Sequence, residues 1–305
     1  MQRITVRLGG YQAPASIHNR AAARFGELLE GALGERIKFE LIGDVLALGR
    51  GSGDLPRMVA SGELSMCYIS TVRFTAAVPE LKLLELPFVV RDRASLFRAL
   101  DGALGERFRR RMHEATPFRL LGLWDNGFRH LTNKVRPIRR PQDCRGIRIR
   151  TQMSALHGEA LRALGFEPVA ADIKEFVEKI GTDYFQAQDN PLTNIYNFNV
   201  HRHHRYITLT GHFFGATAMI CNAAHYASWP PAVKTAVDAA AREATLFQRR
   251  LAAAEDEAVL AKLDPRENEI YPPTDAERAA FFAAVEPVIA KYRQELAPDL
   301  FALLD

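Results

Sequence analysis

The amino-acid sequence predicts an α/β fold with a mostly parallel sheet, and three observations support this class. Strand-like segments alternate with segments of helical periodicity along the chain. The 305 residues are many for one ordinary core and suit two lobes. A helical pattern runs from 230 to about 263, and a helix of that length would extend for roughly 50 Å, so we expect it to brace both lobes.

The part of the chain before Trp124 repeats a strand–helix unit. Alternating residues predict a strand over 4–8, and an amphipathic helix follows over 19–33, with Gly34 as its stop signal. The elements predicted next are a strand over 36–43, a short helix within 53–64, a buried strand over 65–70, an apolar run over 81–90, helices over 94–100 and 104–113, and a strand over 118–124.

A second set of elements begins near Trp124. The predicted order is a strand over 126–133, a basic loop over 134–146, a strand over 147–151, helices over 154–164 and 173–180, a strand over 184–189, and strands over 205–210 and 216–222. A short helix is expected to begin at Pro191, because proline is favoured in the first helical turn. The segment 211–215 has the pattern of a crossing, and a last helix is predicted over 275–296 with Thr274 as its cap.

Charge and hydropathy exclude two classes of partner. The formal net charge of +4 and the pI near 9.0 are modest for this length, whereas nucleic-acid binders concentrate more basic charge on one face. A mild positive field instead favours small anionic ligands. No run of about 18 apolar residues is present, so we expect neither a nucleic-acid partner nor direct membrane insertion.

The sequence offers no motif for a cofactor, a metal or a catalytic nucleophile. The three cysteines, Cys67, Cys144 and Cys221, form no C-x-x-C pair and are expected to be small buried residues. The histidine-rich stretch 201–205 and His212 lack carboxylate or cysteine partners at ligand spacing, so we predict no metal. No nucleotide-binding glycine motif and no G-x-S-x-G elbow occur, so we also predict no cofactor and no catalytic residue.

The strongest candidate for ligand binding is a cluster of arginines over 129–150. Within it, "GIRIR" alternates, so Ile147 and Ile149 would face the core while Arg148 and Arg150 share the opposite face. A guanidinium at a strand end offers two parallel donors that match a carboxylate. Arg129 lies similarly in "GFRHLT". The alternative for most of these arginines is a solvated basic surface.

Several stretches resemble the solute-binding proteins of tripartite ATP-independent periplasmic (TRAP) transporters, the C4-dicarboxylate-binding family. They are "SGELSMCYIS", "VPELKLLELPFVVRD", "GFRHLTNKVRPIRRPQDCRGIRIRT", "QDNPLTNI" and "YITLTGH", in this order, and the resemblance runs from about Val6 to Arg293. It implies a fold like that of type II periplasmic binding proteins: two lobes with central mixed sheets, a long helix spanning both, and a ligand cleft between them that closes on the ligand.

The resemblance also implies a binding site. The arginine that ends "GIRIR", Arg150, would pair with a ligand carboxylate, and Asn190 would hold the same group at a helix start. Arg129 would give a second contact. Ile173 stands where the family often has an aromatic residue. Further pocket residues expected from their positions are Gln12, Trp124 and Phe213.

The resulting hypothesis is a periplasmic binding protein that captures a small organic carboxylate for membrane TRAP permease subunits. We predict that lobe I comprises 1–123 and 211–250, and that lobe II comprises 124–210 and 251–305. The start of the chain shows no leader pattern, which fits a mature periplasmic chain or a cytosolic protein. Two alternatives stay open: an enzyme acting on organic acids, with Asp189 or His212 as its titratable group, and a ligand-sensing module that reuses the fold.

Overall fold

Two long antiparallel strands, β4 (Phe118–Asn133) and β8 (Tyr206–Asn222), run side by side through the centre of the molecule. The structure is a computed structural model that describes residues 3–304. The sequence pattern predicts each long strand as two shorter ones, because Gly127, Gly211 and Gly215 interrupt the alternation. The structure joins the pieces, and three register irregularities absorb the interruptions.

The remaining elements flank this central pair. The other strands are β1 (Ile4–Gly9), β2 (Ile37–Ile42), β3 (Met66–Ser70), β5 (Arg148–Thr151), β6 (Glu167–Ala170), β7 (Ala187–Pro191) and β9 (Glu269–Tyr271). The helices are α1 (Ile17–Leu33), α2 (Leu55–Ala60), α3 (Lys82–Glu85), α4 (Arg93–Asp101), α5 (Ala103–Ala115), α6 (Ala155–Ala163), α7 (Ile173–Lys179), α8 (Leu192–Asn197), α9 (Ala223–Ser228), α10 (Pro231–Leu260), α11 (Asp275–Glu295) and α12 (Pro298–Ala302).

The sheet is mixed, and it divides into two groups of parallel strands. Its order is β2-β1-β3-β8-β4-β7-β5-β6, with β9 added beside β8. Lobe I contains β1, β2 and β3, whereas lobe II contains β5, β6 and β7, and each group is parallel within itself. The predicted class, two lobes with mixed sheets, is therefore confirmed. The lobe boundaries stay predictions, and two of them fall inside β4 and β8.

The long helix α10 packs against both lobes, as its length predicts. Its 30 residues extend for about 45 Å. It lies against α1 in lobe I, crosses β4, and reaches α8 in lobe II. At the crossing, the side-chain amide of Gln248 bonds to both the N–H and the C=O of Asp125, at 2.7 and 2.6 Å. These bonds give hydrogen-bond partners to backbone groups in a part of β4 that β7 does not reach.

Local sequence signals are confirmed at several other places. Helix α11 begins after Thr274, whose hydroxyl accepts from the Glu277 N–H while the Glu277 carboxylate accepts from the Thr274 N–H. All three cysteines are buried and free. The apolar run over 81–90 forms the short helix α3 and a loop.

No helix within 3–304 is both long enough and apolar enough to cross a membrane.

Candidate ligand-binding site

A cavity lies between the two lobes, where strands of both groups end. β3 and β5 point their carboxyl ends toward it, which is where ligands bind in open α/β sheets. Its volume is about 30 Å³, room for one or two water molecules. The residues that line it are Tyr11, Ser52, Ile69, Ser70, Arg73, Asn126, Arg129, Arg150, Gln152, Ile173, Asn190, Asn194 and Phe198.

Arg150 lies at this cavity, and its neighbours on β5 show why. Ile147 and Ile149 are buried in the core, so the alternation of the strand turns Arg150 to the opposite face. Its Nε and Nη2 donate to the carbonyl oxygen of Ala171, at 3.0 and 2.7 Å. Within the described part of the chain, it forms no ion pair with a carboxylate. Burial, and then the charge of Arg129, lower the pKa of Arg150 to about 10, so the group stays cationic at neutral pH.

Arg129 also lines the cavity, but its charge is compensated inside the protein. Its Nε donates to the carboxylate of Asp189 at 2.5 Å, and its Nη2 donates to the carbonyl of the same residue. Burial raises the pKa of Asp189, but the guanidinium more than offsets this, and the net pKa lies well below the usual range. His212 Nε2 lies 3.6 Å from the carboxylate, and burial lowers the pKa of His212. Neither Asp189 nor His212 is among the residues that line the cavity.

Asn190 lines the cavity from a strand rather than from a helix start. It lies in β7, opposite His130 of β4. The residue at the N-cap position of α8 is Pro191, whose side chain forms no capping hydrogen bond. The predicted role of Asn190 as a helix cap is therefore wrong. Its amide nitrogen donates to Gln188 at 2.5 Å, and its oxygen accepts from Asn194 at 3.3 Å. These bonds fix the orientation of its side chain at the cavity wall.

Two further predicted residues lie at or beside the cavity. Ile173, the first residue of α7, contributes an apolar patch to the wall. Gln12 is buried just behind the lining, and its side-chain nitrogen donates to Asn194 at 3.0 Å. Since Gln12 belongs to lobe I and Asn194 to lobe II, this bond joins the two lobes.

Trp124 and Phe213 do not line the cavity, contrary to expectation. Trp124 lies in the core at the predicted lobe boundary, where its ring packs against Tyr68 and His18 of lobe I and its N–H donates to Thr245 at 3.1 Å. Phe213 stacks on His157 with ring centroids 4.1 Å apart. Trp124 and Phe213 are therefore part of the packed interior.

A cluster formed by Ser52, Gly53, Arg73 and Asp172 joins the lobes beside the cavity, and it was not predicted from the sequence. The Asp172 carboxylate accepts from the Ser52 hydroxyl at 2.8 Å, the Gly53 N–H at 3.1 Å and Arg73 Nη2 at 2.5 Å. The same carboxylate caps α7 through the Lys174 N–H. Burial raises the pKa of Asp172, but these donors outweigh it and the pKa is lowered. A signal was available, since "DIKE" matches the capping pattern.

Lys174 and Gln152 add further bonds between the lobes. Lys174 Nζ donates to the Gly49 carbonyl at 2.9 Å, and the Ser70 hydroxyl donates to Gln152 at 3.0 Å. The glycine-rich loop "GRGSGDLP", Gly49 to Pro56, therefore carries much of the interlobe contact. Polar contacts therefore join the lobes on several sides of the cavity.

Larger grooves lie elsewhere on the surface and lack the features of this site. One of about 750 Å³ lies between α5 and α10, but Arg249 and Arg119 there are paired with Asp101 and Asp238. Another of about 650 Å³ is lined partly by Phe88 and Phe282. Among residues 3–304, no group of three or more His, Cys, Asp or Glu side chains is arranged to hold a metal.

Comparisons with known proteins identify the family. The sequence model of one protein family, the bacterial extracellular solute-binding proteins of family 7, matches residues 8–295. The 2,3-diketo-L-gulonate-binding periplasmic protein YiaO of Escherichia coli is 26% identical over 281 residues, which are 92% of this chain and 84% of YiaO. The C4-dicarboxylate-binding periplasmic protein DctP of Rhodobacter capsulatus is 24% identical over 301 residues, 98% of this chain and 89% of that protein.

A solved structure agrees with the fold. The crystal structure of a Bordetella TRAP periplasmic solute-binding protein, in which density is assigned to pantoate, superposes with a TM-score of 0.92 at 26% identity. The match covers 99% of this chain and 98% of the Bordetella chain. The chain therefore belongs to family 7 of the bacterial extracellular solute-binding proteins, the binding components of TRAP transporters, and it is a binding protein and not an enzyme.

Proposed function

We propose that this protein captures a small organic carboxylate in the periplasm and delivers it to membrane TRAP permease subunits, with Arg150 as the carboxylate-binding residue. One observation carries the proposal: Arg150 is buried at the interlobe cavity without an ion-pair partner among residues 3–304. A buried cation without a counter-charge is costly in free energy. Binding of a ligand anion would therefore be most favourable at Arg150. The relatives named for a sugar acid and for C4-dicarboxylates support a carboxylate ligand.

The hydrogen bonds of Arg150 leave the useful edge of its guanidinium available. Nε and one N–H of Nη2 are directed to the Ala171 carbonyl. The edge formed by Nη1 and Nη2 can then present two parallel N–H groups to a carboxylate. Asn190 would add a donor to the same group. Arg129 would contribute mainly its electrostatic field, because two of its nitrogens are engaged by Asp189.

We propose that binding is coupled to hinged closure of the lobes. A cavity of about 30 Å³ is far smaller than an ordinary ligand site, so a ligand can enter only when the lobes separate. The strands that connect the lobes carry glycines with positive φ, Gly127 at +100° and Gly211 at +57°. Such positions let a strand bend where other residues would be strained. The Asp172 cluster would re-form each time the lobes close.

The clamp, meaning the pairing of Arg150 with a ligand carboxylate, is tested by removing the guanidinium of Arg150 while keeping that of Arg148, and the reverse. A thermal-shift screen of small organic acids selects a ligand, and calorimetry then compares the wild type with Arg150→Ala and Arg148→Ala. We expect Arg150→Ala to weaken binding by on the order of 100-fold or more, because it removes a buried charge-assisted pair. Arg148 is the matched control, since it lies on the same strand but stacks on Tyr184 outside the cavity.

Unchanged affinity of Arg150→Ala for the selected acid would exclude the clamp.

Closure is tested separately by small-angle scattering, in which the selected acid should reduce the radius of gyration of the wild type. Transport is tested by deleting the gene and measuring uptake of that acid, because a sensing module would leave uptake unchanged.

A further inference from the structure

We infer that the site is selective for a monocarboxylate that carries hydroxyl groups, in preference to a dicarboxylate, and that Asn126 is the residue that recognises a ligand hydroxyl. This inference rests on the proposed function, because it assumes that the ligand binds at Arg150. It goes further by naming the charge and the polar groups of the ligand.

The charge balance of the cavity favours a ligand with a single negative charge. Three arginines line it: Arg73, Arg129 and Arg150. Arg73 is paired with Asp172 and Arg129 with Asp189, each at 2.5 Å. In the described chain, Arg150 alone of the three has no acidic partner, and no carboxylate side chain contributes to the lining. The closed site therefore carries one net positive charge.

One negative charge on the ligand balances this site. A monocarboxylate on Arg150 brings the sum to zero, whereas a dicarboxylate leaves an uncompensated negative charge in a cavity sheltered from water. His212 does not change this balance, because burial lowers its pKa and keeps the ring neutral near pH 7. Specificity then comes from the unpaired charge that the wrong ligand would bring.

The cavity also contains a hydrogen-bond acceptor that has no donor. Asn126 is buried at the cavity, only 3% exposed, and its side-chain oxygen has no hydrogen-bond partner among the described residues. A buried acceptor of this kind is costly unless a donor arrives. A carboxylate has no proton to give, but a ligand hydroxyl does.

The rest of the wall fits a ligand with several oxygen atoms. It is rich in uncharged groups that can both donate and accept, such as Ser52, Ser70 and Tyr11, together with the amides of Gln152 and Asn194. Such groups match hydroxyl groups better than they match a second carboxylate, which accepts only. Ile69, Ile173 and Phe198 supply the apolar part of the wall for a carbon chain.

The wild-type protein tests the inference with acids of matched chain length. The four-carbon set is erythronate, butyrate and succinate, and the six-carbon set is gluconate, hexanoate and adipate, each measured by calorimetry. In at least one set, we expect the hydroxylated monocarboxylate to bind at least about tenfold more tightly than both counterparts. A dicarboxylate that binds as tightly as the hydroxylated acid, or more tightly, overturns the inference.

Two variants assign the selectivity to its residues. Asn126→Leu should reduce the affinity ratio between the hydroxylated acid and its unsubstituted counterpart by about tenfold, with little change for the unsubstituted acid. Asp172→Asn releases Arg73 and raises the site charge to two, so the ratio of dicarboxylate to monocarboxylate affinity should rise by about tenfold. Ratios are compared because Asp172→Asn also weakens closure for every acid.

Arg150→Gln separates this inference from the proposed function. If dicarboxylates bind more tightly than the hydroxylated monocarboxylates and Arg150→Gln abolishes their binding, the clamp is supported and the charge argument is wrong. If Arg150→Gln binds every acid as tightly as the wild type, the clamp fails and the charge argument falls with it. An Asn126→Leu variant that keeps the wild-type ratio while remaining folded by circular dichroism removes Asn126 from the inference.

Discussion

Arg129 and Arg150 are both buried arginines at one cavity, yet their surroundings give them different roles. Arg129 has an internal counter-charge in Asp189, and Arg150 has only the Ala171 carbonyl. Burying an ion pair stabilises a fold only when the geometry is good, but removing one partner leaves an uncompensated charge. Arg129 and Asp189 should therefore matter first for stability, and Arg150 first for ligand binding.

Asp189→Asn tests the structural role of this pair. We expect the free energy of unfolding to fall by about 3–5 kcal/mol, because Arg129 would remain buried without a counter-charge. Urea denaturation monitored by circular dichroism measures this change. Asp183→Asn is the matched control: its carboxylate pairs with Lys134 but is 98% exposed, so the change should stay within about 0.5 kcal/mol. Equal effects of the two substitutions would contradict the proposed role.

At the scale of elements, the start of α7 connects local structure to closure. Asp172 caps this helix and also accepts hydrogen bonds from the lobe I residues Ser52, Gly53 and Arg73. Hydrogen bonds across the cleft exist only when the lobes are together. Under the proposed hinged closure, they would stabilise the closed state relative to the open one, and they would then contribute to the free energy of ligand binding.

Asp172→Ala should weaken ligand affinity by roughly tenfold to 100-fold, since charge-assisted bonds contribute about 1.5–3 kcal/mol each. It should also cost about 1 kcal/mol of stability through the lost cap. Asp92→Ala is a matched control, because Asp92 caps α4 through the Ser95 N–H at 2.8 Å. Calorimetry should find that Asp92→Ala binds the ligand with the affinity of the wild type, despite a similar loss of stability. Weakened binding in the control would show that a cap alone explains the effect.

The contact between α10 and β4 is a second link at this scale. Gln248 satisfies both backbone groups of Asp125, next to the irregularity in the strand. Gln248→Ala should lower the free energy of unfolding by about 2–3 kcal/mol, because two buried polar groups lose their partners. Gln294→Ala, on the exposed face of α11, should change it by less than about 0.5 kcal/mol in the same urea titration. A small effect at Gln248 would mean that other groups replace its bonds.

The whole molecule should be sensitive to acid because it buries neutral histidines. Burial lowers the pKa of His18, His130 and His204 to about 3 each. In the unfolded chain, histidine titrates near pH 6.5. Between these values the unfolded state binds more protons than the folded state, so stability falls as the pH falls from about 6.5 towards 3. Each histidine contributes a slope of up to about 1.4 kcal/mol per pH unit.

Urea denaturation at pH 7.5, 6.5, 5.5 and 4.5 measures this dependence. The three histidines together predict a slope of up to about 4 kcal/mol per pH unit below pH 6. His204→Gln should reduce the slope by about a third, whereas His203→Gln, at an exposed neighbouring position, should leave it unchanged. A stability that stays constant from pH 6.5 to 4.5 would contradict the burial of these rings in uncharged form.

Much of the fold follows from local pattern. The strand–helix order, the long α10 and the cap at Thr274 depend on periodicity and on neighbours three or four residues away. The direction of Arg150 depends on the alternation of one strand, which Ile147 and Ile149 reveal. The helix at Pro191 was also expected, but its cap was not, because β7 extends to Pro191 to pair with Arg129 of β4.

Other features depend on residues that are distant in the sequence, so they became known only from the packing of the folded chain. Periodicity and motifs in the sequence were enough to predict the two-lobed α/β class and the candidate arginines. They did not determine that Arg129 is paired with a residue 60 positions away, that Arg73 meets Asp172 across 99 positions, or that Trp124 and Phe213 face the interior. The physical reason is that periodicity specifies which face a side chain occupies, whereas the neighbours on that face are set by how lobes and strands pack.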